Sequence, residues 1–226
     1  MPTKASACGA TKVLSGYKSR KKNHFCETQA NILSFMFKPK PTIMKKWLIG
    51  SLVGALLVFV WQFLSWTVLH FHYSESKYTP TQDSILRNLS SNLKEGGVYM
   101  MPTVPPGSSM ETEQEARKKA NGNPMAMVTY VTSFDNSMTM PMIRGYLINL
   151  FLVFSFIYII SRGGMPSGMR IFAAAIALGF FSWLWGPYMS HNWMQLPLEA
   201  THGNLIDDLV AWGLVGIWLG WWLNRK

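Results

Sequence analysis

Four stretches of the chain are apolar for long enough to cross a bilayer, and polar or charged residues bracket each of them. Trp47 to Leu69 is 23 residues without a charge. At about 1.5 Å per residue that spans a hydrocarbon core of about 30 Å. The stretch exceeds a signal-peptide core of roughly 7–15 residues and has no small-residue cleavage pattern at Trp66-Thr67-Val68-Leu69-His70, so it reads as an uncleaved signal anchor. Gly145 to Ser161, held between Arg144 and Arg162, is apolar except for Asn149. Ile171 to Met189 is the third span, with Pro187 near its end. The fourth runs from Leu209 to Leu223, or from Leu205 if Asp207 and Asp208 are drawn to the boundary. Trp212, Trp218, Trp221 and Trp222 suit an aromatic belt at its ends.

Between the first two spans the pattern changes. Ile85, Leu86, Leu89 and Leu93 recur at i, i+1, i+4 and i+8, which predicts an amphipathic helix from about Thr81, with Thr81 or Ser84 as cap and Gly96-Gly97 as the stop. Val98 to Met101 reads as a short strand ended by Pro102, and Met125 to Val131 as a second one. Glu111 to Ala120 reads as a charged helix closed by Asn121-Gly122-Asn123-Pro124. The fold expected is therefore all-α transmembrane, a four-helix membrane bundle with a small α+β cap. Residues 1–43 form a basic tail, 44–72 the first transmembrane helix, 73–143 the cap and 144–226 a three-span block.

Composition narrows the class. The chain is 49% hydrophobic and only 14% charged, against about 25% charged in ordinary soluble domains. Intrinsic disorder is excluded by this apolar excess, and a disulfide-stapled scaffold by having only Cys8 and Cys26. Those two cysteines lie ahead of every span, so a four-span thiol oxidoreductase is excluded too.

The net charge is +10, but residues 1–43 alone carry +7. The basic balance thus describes a tail and not a nucleic-acid-binding face. Lys18-Ser19-Arg20-Lys21-Lys22 reads as a solvated run, with contact to anionic headgroups as the alternative. Met44-Lys45-Lys46 followed by an apolar run also has the form of a bacterial start, which would make the tail an upstream extension.

Loop charge predicts the orientation. The link from Arg162 to Arg170 has two cations and no acid, and Asn224-Arg225-Lys226 is basic. Ser190 to Asp208 has no cation and three acids, Glu199, Asp207 and Asp208. By the positive-inside bias both termini are cytoplasmic and residues 73–143 lie outside an inner membrane. The order of a first span, an external helix–strand–strand segment and a three-span block ending Gly220-Trp-Trp-Leu-Asn-Arg-Lys226 resembles the layout of small bacterial four-span inner-membrane proteins of unknown function. That resemblance covers about residues 44–226 and implies no particular activity or site.

Candidate chemistry gathers at the outer boundary. His70 and His72 close the first span, His191 follows the third and His202 precedes the fourth. In this Met-rich chain, Met138-Thr-Met140-Pro-Met142 alternates three thioethers before the second span, which on an extended strand would set the sulfurs on one side. Thioethers and imidazoles are ligands for a soft transition metal such as Cu(I). The plainer account is that Met fills packing gaps and that imidazole tips sit at headgroup depth. Asp207 and Asp208 are ionisable groups at a span boundary, and capping accounts for them equally, with Asn204 as the cap and Asp207 at its third helical position. Asn149 is expected to make an interhelical hydrogen bond.

Gly50 with Gly54, and Gly216 with Gly220, have the spacing for close helix approach within the chain, or for a homo-oligomer seam. No phosphate-binding glycine loop, Gly-x-Ser-x-Gly or His-Glu-x-x-His occurs. The reading that follows is a non-enzymatic accessory or structural protein whose one certain partner is the lipid bilayer. Metal handling at the boundary is the first alternative. A small transporter or membrane enzyme using His191, His202, Asp207 and Asp208 in an outward cavity is the second.

Overall fold

A chain in hydrocarbon must satisfy its backbone groups internally, which makes each apolar run helical. The computed structural model describes residues 41–225; most of the basic tail, with the readings attached to it, lies outside the described residues. Helix α1 (Pro41–Leu64) continues through a π-turn at Ser65–Leu69. Then come α2 (Gln82–Asn92), strand β1 (Gly97–Met101), α3 (Met110–Ala120) and β2 (Ala126–Tyr130). Helix α4 (Thr139–Ile160) and α5 (Gly168–Trp183) follow. A π-turn at Leu184–Tyr188 holds Pro187, which has no N–H to give to the ladder. It leads into α6 (Met189–Met194), a 3₁₀ turn (Leu198–Thr201) and α7 (His202–Asn224).

Four runs are long and apolar enough to cross a membrane: Ile43–Leu69, Thr139–Ile160, Gly168–Met194 and Leu198–Asn224. Each is longer than the charge-free stretch that announces it. Arg144, Arg170, Asp207 and Asp208 lie inside helices near their ends. A long side chain there can reach back to the boundary, so helix persists past the point where hydrophobicity stops.

Helix α1 packs against both α4 and α7, and α7 packs most extensively against α5. The Lys46 ammonium of α1 donates to the Arg225 carbonyl just after α7, so these two helices run antiparallel. Trp218 and Trp222 aim their indole N–H groups at the α1 carbonyls of Gly50 and Lys46, at 3.0 and 2.8 Å. Asn149 on α4 donates to Gln62 Oε1 on α1 at 2.9 Å, the interhelical bond expected of it. The buried core is aliphatic between α4, α5 and α7, with Val153, Ile157, Ile171, Val215 and Leu219 closed from solvent. Gly50, Gly54, Gly216 and Gly220 each face another helix of the same chain.

Contact between α5 and α7 is limited by backbone. A Cβ at Gly179 would stand 2.6 Å from the Asp208 carbonyl oxygen, closer than a methyl carbon and an oxygen can rest. Only glycine permits that crossing.

The intervening segment forms its expected elements. Strands β1 and β2 pair antiparallel, with Gly97 opposite Tyr130 and Met101 opposite Ala126. Ser109 caps α3 by accepting from the Thr112 N–H at 3.3 Å. Hydrogen bonds from the backbone N–H of Glu111 and from the Ser109 hydroxyl hold the Glu111 carboxyl below its ordinary value. Thr81 occupies the N-cap position of α2 without a side-chain bond, and α2 ends at Asn92, ahead of Gly96. Neither α2 nor α3 has a buried residue.

Candidate functional site

The most concentrated polar chemistry among the described residues lies where span 1 ends and span 4 begins. A π-turn carries α1 to Leu69, and His70 then takes the left-handed conformation (φ 57°, ψ 30°) that stops a helix. The chain folds back, and His72 is turned inward to 5% exposure. Its Nδ1 lies 2.5 Å from Glu75 Oε1, and its Nε2 lies 2.9 Å from Asp207 Oδ2 on α7. Ser65 Oγ is 3.3 Å from the same Nε2. The carboxylates are bound in turn. The Trp61 indole N–H donates to Asp207 Oδ1 at 3.1 Å, and the Asn204 amide donates to Glu75 Oε1 at 2.7 Å.

Each ring nitrogen of His72 thus faces one carboxyl group, Glu75 on one edge and Asp207 on the other, and the three side chains are 5% (His72), 22% (Glu75) and 15% (Asp207) exposed. Trp66 stacks on the ring, with centroids 3.9 Å apart and planes within 8°. Gly203 makes room for all of this. A Cβ there would stand 2.8 Å from the Phe71 carbonyl oxygen and 3.0 Å from His72 Nδ1. We call this unit the clasp, since it fastens the chain leaving span 1 to the start of span 4.

Of the residues singled out from the sequence, the clasp unites His72, Asn204 and Asp207. His70 is exposed and leans on Tyr73, with ring centroids 4.6 Å apart. His191 Nδ1 lies 2.6 Å from the Leu196 carbonyl oxygen, a bond within its own turn. His202 is exposed on the first turn of α7. Asp208 pairs with the Ser182 hydroxyl of α5. Met138, Met140 and Met142 are exposed by 63, 58 and 44%.

Two expectations are corrected here. The three methionines do not alternate along a strand: Met140 and Met142 sit in the first turn of α4, and residues two apart on a helix point about 200° away from each other. Asn204 is not a cap with Asp207 at its third position. Helix α7 starts at His202, ahead of both, and Thr201 holds the N-cap place without a side-chain bond. The amide of Asn204 and the carboxylate of Asp207 serve the clasp instead.

Among the described residues no three His, Cys, Asp or Glu side chains converge as ligands. Glu75, Trp61, Ser65, Trp66 and Gly203 were not picked out from the sequence, and Asn204 was picked out only as a cap. Glu75 had a usable signal, an acid three residues after His72 at a boundary where acids are few. The others are visible only once α1 and α7 lie side by side. Comparison with known protein families, with curated proteins and with solved structures finds no match.

Proposed function

We propose that this protein is a non-enzymatic accessory protein of a bacterial inner membrane, a four-span anchor that presents residues 73–143 on the outer side with both termini in the cytoplasm. The orientation rests on the cations of the Arg162–Arg170 link and of Arg225 and Lys226, against the acids Glu199, Asp207 and Asp208 at the opposite end. The observation that carries the accessory reading is the closed wiring of the clasp. Both nitrogens of His72 are engaged by carboxylates, and each carboxylate takes a further donor. Partners within the chain for the ring and for each carboxyl group support a structural part for this unit. Its physical effect is to set the direction in which the chain leaves span 1.

The second reading is proton movement through an outward-facing His/Asp path. What favours it is the adjacent pair on α7, with Asp207 bound to His72 and Asp208 to Ser182 of α5. One comparison separates the two. Wild type and His72→Asn are reconstituted in liposomes carrying a pH-sensitive dye, and their thermal unfolding is followed in detergent. The accessory reading expects a lower unfolding temperature for the variant and no proton flux through either protein. Flux through the wild type that is lost in His72→Asn overturns it.

A further inference from the structure

We propose that α2 lies flat in the outer headgroup layer of the same membrane, with its apolar stripe in the lipid, as an interfacial helix. At about 100° per residue, Ile85, Leu86, Leu89 and Leu93 fall within one stripe about 100° wide, and Ser84 and Ser91 fall on the far side. The stripe is open at its N-terminal half, where Ile85 is 46% and Leu86 57% exposed; Leu89 and Leu93, the latter just past the end of α2, are half-buried, and α2 has no buried residue. Helix α3, in the same segment, has no such stripe. It carries Glu111 and Glu113 in its first turn and Arg117, Lys118 and Lys119 in its last, the pattern of a helix in water. The two helices are thus built for different surroundings.

What α2 is tethered to points to the occupant. The end of the first apolar run exposes Phe63 and Trp66 by 54 and 56%, and the connection that leaves it exposes Tyr73 and Tyr78 by 71 and 78%. Aromatic rings of this kind gather at headgroup level. The clasp then shortens the leash. Glu75 is fixed to the start of span 4, and the seven steps from Glu75 to Gln82 extend to at most about 25 Å. A short helix with one apolar stripe opposite a polar face, and an anchor at its near end, fits an in-plane interfacial helix.

The test uses the full chain in proteoliposomes, with Cys8→Ser and Cys26→Ser as background and an environment-sensitive NBD label on single cysteines at positions 84, 85, 86 and 91. Labels on Ile85→Cys and Leu86→Cys are expected to emit to the blue. Doxyl-labelled lipid should quench them at least about twofold more than labels on Ser84→Cys and Ser91→Cys, at every protein-to-lipid ratio. Water-like emission at all four positions overturns the proposal. So does a blue shift at 85 and 86 that lipid quenchers leave untouched, since the stripe would then be covered by protein. A shift that disappears as protein is diluted into lipid also overturns it, in favour of a second copy of the chain. The readout does not depend on whether the accessory reading holds.

Discussion

His72 and Gly203 are interdependent. The His72 ring reaches Glu75 and Asp207 only because position 203 has no side chain, and the space left by Gly203 is filled by the Phe71 carbonyl and the ring itself. Replacing His72 by Ala leaves two mostly buried carboxyl groups facing an empty site. An average interhelical hydrogen bond in a membrane is worth about 0.6 kcal/mol, whereas a buried polar group left without its partner costs about 1–3 kcal/mol. The second figure governs here, because two carboxyl groups lose their partner at once. His72→Ala is expected to lower stability by about 2 kcal/mol in a reversible unfolding assay. Adding Asp207→Asn should then cost less than it does alone; strict additivity would show that the two residues are not coupled. Gly203→Ala is expected to reduce stability by about 1–3 kcal/mol and to speed proteolysis between Phe71 and Thr81. A variant as resistant as the wild type would show that the close approach is not required.

At the scale of elements, the helices are held by backbone proximity on one side of α7 and by tryptophan on the other. Toward α5, Gly179 lets the Asp208 carbonyl come to within a Cβ's radius. Toward α1, Trp218 and Trp222 bond to carbonyls that still have a free lone pair beyond the helix ladder. Gly179→Ala must push two backbones apart, and no rotamer change can relieve it. The expected loss is about 1–3 kcal/mol, with a cysteine pair placed across α5 and α7 cross-linking more slowly; unchanged cross-linking would refute the tight crossing. The spans were legible from apolar run length, and the segment elements from their periodicity and turn residues. Their ends were not. Charge-free length underestimates a helix whose Arg144 or Arg170 lies inside a terminal turn, and a methionine alternation at 138–142 looks the same on a strand as on the first turn of a helix.

For the whole molecule, the order α4, α1, α7, α5 places the two acidic ends and the two cationic ends of the block on opposite sides. If the positive-inside bias holds, single cysteines at Ser91 and Ser133 are expected to react with an impermeant maleimide in intact cells, and one at Ser167 only after lysis. Labelling of Ser167→Cys in intact cells would reverse the orientation proposed above. Such a reversal would move α2 to the inner leaflet without altering the clasp, since the clasp depends on α1 and α7 being antiparallel and not on which side they face.

Run length, periodicity and loop charge belong to neighbouring residues, and the amino-acid order alone therefore determined the four apolar helices, the amphipathic α2, the two short strands and the expected orientation. The clasp is of another kind. His72 and Asp207 are separated by 135 positions, and the Trp61, Asn204 and Gly203 side of it exists only where α1 and α7 cross. Convergence of that sort follows from helix packing and from a left-handed residue at His70, neither of which leaves a periodic trace in the chain. Tertiary structure decided which of the boundary residues meet, and it chose one histidine of four because only that one is turned back over the end of its own helix.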